Sequence, residues 1–188
     1  MKRLLLLVFA ALVLAGPTLA GATVCTFDSF TGSGQVPDGY CGANWNDQWS
    51  YYDSDQPPYT AHSLPERIYP TGDACCGTIN FLSPVTFNGA WFAGYSALSG
   101  TIEYDMYLGG SLVAVADLDS TVLSDVPLFF ASGYSGLIDQ LTITSGLDRW
   151  ILDDLTYNGT TTPEPGSLAL MGSGVLVGLA ALRRRYMK

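Results

Sequence analysis

The side chains in this 188-residue chain with most capacity for chemistry are carboxylates, aromatic rings and thiols. Asp153 and Asp154 are adjacent inside an apolar stretch, Trp150 to Tyr157. Strand alternation groups Asp153 with Ile151, Leu155 and Tyr157, and Asp154 with Trp150 and Leu152. One carboxylate must then face apolar neighbours, and it needs hydrogen bonds or a cation to offset desolvation. Aromatic residues concentrate from Tyr40 to Tyr59, at Tyr40, Trp45, Trp49, Tyr51, Tyr52 and Tyr59, among Asn44, Asn46, Asp47, Gln48 and Asp53. Flat rings beside amides and carboxylates suit a sugar, whose C–H faces stack on rings while its hydroxyls take hydrogen bonds. Trp45 and Trp49 read as core packing; Tyr51, Tyr52 and Tyr59 are the carbohydrate candidates.

Four cysteines, Cys25, Cys41, Cys75 and Cys76, allow three pairings. A bridge between neighbours is strained, so crossing pairs are expected. Zinc is disfavoured, because there is no C-x-x-C pair and His62 is the sole histidine. Catalysis has little support. No G-x-S-x-G occurs, Gly133-Tyr134-Ser135-Gly136 has the wrong spacing, and His62 sits in a proline-rich loop that reads as solvated. Acidic residues are so abundant that a pair at glycosidase spacing would arise by chance.

These residues must be positioned by strands. Thr101 to Leu108 alternates, with Ile102, Tyr104, Met106 and Leu108 on one face. Gly109-Gly110 reads as a two-residue hairpin turn and Ser111 to Leu118 returns. Further strands are expected over Val24–Phe30, Trp49–Tyr52, Arg67–Tyr69, Thr78–Phe81, Val85–Ala93, Val126–Ala131, Leu137–Thr144 and Trp150–Tyr157. Many short strands without crossover helices predict an all-β fold, an antiparallel β-sandwich.

Both ends differ from this body. Met1-Lys2-Arg3 precedes an apolar run from Leu4 to Ala15, then Pro17 and the small residues Ala20-Gly21-Ala22. Residues 1–22 therefore read as a signal peptide, with cleavage after Ala20 or Ala22. At the other end a linker, 159–162, leads to Pro163-Glu164-Pro165, an uncharged run from Gly166 to Leu182, and Arg183-Arg184-Arg185. At 1.5 Å per residue the run spans roughly 25 Å, the low end for a transmembrane helix. The basic tail, 183–188, holds the C-terminus inside. The body, 23–158, keeps only Arg67 and Arg149 as basic residues against sixteen acidic ones, a net charge of −14. Such a surface repels nucleic acid and suits an exported protein.

The tripartite end, Pro163-Glu164-Pro165, apolar span and Arg183–Arg185, resembles the PEP-CTERM sorting signal of bacterial exported proteins. That resemblance implies an exosortase and the export machinery as partners. It also implies transient residence in the membrane through the C-terminal helix, and a final periplasmic, cell-surface or extracellular location. The body resembles the jelly-roll-like sandwiches that often precede such tails, through Asp38-Gly39-Tyr40-Cys41-Gly42, Asn44-Trp45, Val85-Thr86-Phe87-Asn88 and Ile151-Leu152-Asp153-Asp154-Leu155-Thr156-Tyr157. In jelly rolls the first and last strands often lie close. That would bring Asp28 beside Asp153 and Asp154, a hard-oxygen set suited to a structural calcium ion. The expected function is non-enzymatic, a surface- or matrix-associated β-sandwich. The alternative is an exopolysaccharide-binding module, followed by a secreted hydrolase.

Overall fold

Alternating buried and half-buried residues run through much of Cys76–Gly94 and Ile138–Ser145 and through Ile102–Leu108, where Ile102, Tyr104 and Met106 are buried and Glu103, Asp105 and Tyr107 are not. The computed structural model describes residues 21–54, 57–72, 75–94, 101–117, 123–146 and 149–159. The expected signal peptide up to residue 20, the motif 163–165, the span 166–182 and the tail 183–188 lie outside the described residues. Among the described residues no helix is long and apolar enough to cross a membrane.

The strands are β1 (Ala22–Cys25), β2 (Ser33–Gln35), β3 (Ala43–Asn44), β4 (Trp49–Tyr52), β5 (Arg67–Pro70), β6 (Cys76–Gly94), β7 (Ile102–Leu108), β8 (Ser111–Asp117), β9 (Leu128–Ala131), β10 (Ile138–Ser145) and β11 (Trp150–Gly159). A 3₁₀ turn, Tyr40–Gly42, is the sole helical element among the described residues. All pairings are antiparallel. The order is β2-β4-β5-β11-β6-β10-β7-β8, with β1 on β11 and with β3 and β9 on β6. The sheet folds over its own core. Tyr104 of β7 reaches Phe87 and Phe92 of β6, with ring centroids 5.1 and 6.0 Å away, and its hydroxyl donates to the Phe130 carbonyl of β9 at 3.0 Å. Edge-on contacts then run from Phe27 to Trp45, Trp49 and Trp150. Trp45 and Trp49 are fully buried, as expected, and their indole N–H groups donate to the Tyr40 and Thr78 carbonyls.

Several expectations change. The first strand stops at Cys25 rather than Phe30, because Phe27 takes a positive φ of 63°. The two strands expected at 78–81 and 85–93 are one, β6. Pro84 does not end it, because Leu82, Ser83 and Pro84 bulge outward between Asn80 and Val85, the residues that pair with Gln140 and Ile138 of β10. Leu108 lies at the exposed hairpin end, not on the buried face. Gly109 and Gly110 do form the two-residue turn, both with positive φ (58° and 75°), as a type I′ turn requires.

The sulfur pairing is also corrected. Cys25 bonds to Cys41, sixteen residues away, instead of crossing to Cys75 or Cys76. Cys41 adopts a positive φ of 49° in the 3₁₀ turn, and this backward bend presents it to the end of β1. Cys75 and Cys76 are free thiols.

Candidate functional site

The last strand carries a bulge at the acidic pair. Asp153 faces Trp91 on β6 and Thr156 faces Gly89, so Asp154 and Leu155 together oppose Ala90 alone. Asp154 has φ 46°, a left-handed conformation that aspartate tolerates better than most residues. The bulge removes the conflict that strict alternation predicted. Instead of one carboxylate facing the core unaided, both meet the same loop, residues 61–66. On this edge of β11, β5 pairs at Leu152 and β1 begins at Leu155. The gap between them exposes the two aspartates to that loop.

The loop is held from several directions. The Ser63 N–H donates to Asp153 Oδ2 at 2.7 Å, and the Ser63 hydroxyl donates to Asp153 Oδ2 and Asp154 Oδ1 at 3.3 and 3.0 Å. His62 Nδ1 lies 2.5 Å from Asp154 Oδ2. The imidazole also stacks on Trp91, and Trp91 packs against the exposed ring of Phe129. At the loop's far end the Glu66 N–H donates to Asp28 Oδ1 at 3.3 Å. Next to it, Arg67 is buried, donates to the carbonyls of Tyr52 and Ser54, and lies over the Tyr52 ring.

Burial dominates the electrostatics. Asp153 is sealed from solvent, and desolvation pushes its carboxyl up to about 8. The Ser63 and Asp154 N–H groups pull it down, while the Asp154 and Asp28 charges push it further up. Glu66 is likewise raised by burial and by the charges of Asp53 and Asp28, against the lowering effect of Arg67. Neither Glu66 carboxyl oxygen has a hydrogen-bond partner among the described residues.

Asp28, Asp153 and Asp154 therefore do gather around one feature, but as anchors for the loop. Among the described residues no group of three or more histidine, cysteine or acidic side chains is arranged to hold a metal ion. Asp153 Oδ2, both Asp154 carboxylate oxygens and Asp28 Oδ1 meet groups of the loop, and Asp153 Oδ1 accepts the Asp154 N–H. The carbohydrate candidates do not form one strip. Tyr51 and Tyr52 are consecutive on β4 and point to opposite faces. Tyr51 is half-buried and stacks on Phe30, with centroids 4.4 Å apart. Tyr52 takes the Arg67 guanidinium on its ring, and Tyr59 is half-buried in the loop between β4 and β5.

His62 and Ser63 are the site residues that sequence reasoning missed. His62 is neither isolated nor simply solvated, since Asp154 and Trp91 fix it. The available signal was the carboxylate pair itself, which demands donors from elsewhere in the chain. The arrangement differs from a nucleophilic triad. Ser63 donates to carboxylates rather than to histidine, and His62 uses Nδ1 on the aspartate. Its chemistry is that of a polar clasp.

Residues 161–185 match the family model of the PEP-CTERM protein-sorting motif. No curated protein matches the chain. The motif implies recognition by an exosortase and an exported, membrane-processed protein.

Proposed function

We propose that the chain is a non-enzymatic structural protein of the cell surface or extracellular matrix, whose β-rich body is delivered by its C-terminal signal and freed or anchored by exosortase processing. The matched motif at 161–185 carries this reading. Three features of the body support it. A disulfide joins Cys25 to Cys41, as suits an oxidising compartment. The surface is strongly acidic. The groups best suited to acid–base chemistry are engaged in holding a loop. The N-terminal residues act as a signal peptide in this scheme, and cleavage after Ala20 leaves β1, which starts at Ala22, whole. The body is best described as a jelly-roll-like sandwich, with β1 on the last strand.

The test is processing. Replacing Pro163, Glu164 and Pro165 with alanine should leave a larger, membrane-held form, and acidic residues at Arg183–Arg185 should disturb retention. Unchanged mature size and fractionation in both variants would overturn the reading.

A second reading, binding of exopolysaccharide, is favoured by one observation. Phe129 is 42% exposed and adjoins the half-buried Trp91, on which the exposed His62 stacks, so an aromatic surface sits beside carboxylates. Retention of the protein on exopolysaccharide that Phe129→Ala abolishes would support it. Equal retention of both would remove it.

A further inference from the structure

The body contains two sulfur pairs of opposite character. Cys25 is fully buried and bonded to Cys41. Cys75 and Cys76 are both exposed and unbonded, with their Sγ atoms in contact at 3.1 Å. That contact is not what a strand provides. Consecutive residues of a regular strand point to opposite faces, which would hold two neighbouring thiols apart. Cys76 is the first residue of β6, whereas Cys75 precedes it in a bend. The backbone of the pair itself is held by β10: Cys76 pairs with Thr144, and the Ser145 N–H donates to the Cys75 carbonyl at 2.8 Å. The bend thus brings the two sulfurs together on an ordered sheet end, open to solvent.

We propose that Cys75 and Cys76 are a reactive vicinal dithiol that closes to a vicinal disulfide, and reopens, by exchange with small-molecule or protein disulfides. In the closing direction the Cys75 thiolate attacks one sulfur of the incoming disulfide and expels the other as a thiolate, leaving a mixed disulfide on Cys75. The Cys76 thiolate then attacks Cys75 Sγ, forms the Cys75–Cys76 bond and releases the second sulfur of the carrier. Two electrons pass from the protein to the carrier, and the two protons lost by the cysteines end on the carrier's thiols. This order is consistent with the Cys76 thiol being raised, chiefly by its hydrogen bond to Cys75 and then by burial, so that it keeps its proton longer. A bond between neighbours is strained, and strained, exposed disulfides are the readily reduced ones, so this couple opens more easily than the Cys25–Cys41 bond, whose Cys25 is fully buried and whose Cys41 is half-buried.

The experiment uses the full-length chain purified in detergent. It is equilibrated with glutathione and glutathione disulfide at graded ratios, then alkylated without reduction and weighed. At the reducing end two cysteines should be alkylated. At the oxidising end none should be, the chain should be lighter by two hydrogens, and peptide mapping should place the link between Cys75 and Cys76. Cys76→Ser should stop at a stable glutathione adduct on Cys75. A trivalent arsenical such as phenylarsine oxide should bind the reduced wild type with one equivalent, and bind neither Cys75→Ser nor Cys76→Ser. The proposal is overturned if the oxidised wild type accumulates glutathione adducts, links to a second chain, or keeps both thiols open to alkylation.

Discussion

His62 lies flat on Trp91, with ring centroids 3.5 Å apart and planes inclined by 12°, while its Nδ1 meets the Asp154 carboxylate. One histidine thus ties the loop at 61–66 to two strands, β6 through the indole and β11 through the bulge. The stack restrains the ring plane and the carboxylate restrains its rotation. The loop's position follows from both together.

Asp154 is the point where backbone and side chain demands meet. Asp154→Asn keeps a residue that tolerates positive φ and removes the charge that holds His62. It should cost about 1.5–3 kcal/mol, the range for a hydrogen bond to a charged group. Asp154→Val adds a β-branched side chain at φ 46° and should cost more. Urea unfolding of the three proteins checks the order. Equal midpoints for Asn and Val would show that the backbone at the bulge carries no strain.

Asp153 sets a dependence on pH. Its carboxyl is held up to about 8 in the fold, whereas an unfolded chain ionises near 4. Between those values the folded state keeps a proton that the unfolded state has lost. The contribution of this group to stability should therefore be full below about pH 4, fall as pH rises, and level off above about 8. The slope from this group is at most about 1.4 kcal/mol per pH unit. Asp153→Asn should flatten that part of the profile. A wild-type melting temperature that rises from pH 5 to pH 8 would contradict the assignment.

The Cys25–Cys41 bond closes a loop over the N-terminal segment. By the chain-entropy model a loop of this length is worth about 3 kcal/mol. Cys25→Ala/Cys41→Ala should lower the unfolding free energy by roughly that amount, while Cys75→Ser/Cys76→Ser should change it little, because both side chains are exposed. Equal losses in the two double variants would be the unexpected result.

Gly89 is the sharpest steric test. It has φ 147°, and an added Cβ would lie 2.2 Å from the Phe130 carbonyl oxygen and 2.7 Å from the Phe129 ring. The close neighbour is backbone, so β9 would have to move. Gly89→Ala should destabilise by more than about 2 kcal/mol, and it should loosen the pairing of β9 with β6 first. Hydrogen exchange at Phe129 and Ala131 would report this as faster exchange than at β10.

Much of the sheet was legible in the residues. Trp49–Tyr52 was read with its observed bounds, and the Gly109-Gly110 hairpin declared itself through its two consecutive glycines. Those signals are local. The misread parts depend on contacts that no local pattern carries. Phe27 looks like a strand residue, but its positive φ ends β1's run. Pro84 looks like a breaker, but an outward bulge accommodates it. The clasp joins His62 to Asp154 across 92 residues of sequence, and its formation requires the bulge that breaks the alternation by which the aspartates were read. Asp28 was correctly drawn to the region of the acidic pair through the expected proximity of first and last strands. There it accepts the Glu66 N–H.

β1 runs antiparallel to β11, with Ala22 opposite Asn158. The chain enters and leaves the body side by side. Pulling on both ends in opposite directions would load that pairing at its terminal rung, so the strands would peel apart one hydrogen bond at a time. Force along a shared tether direction would leave the pairing unstressed.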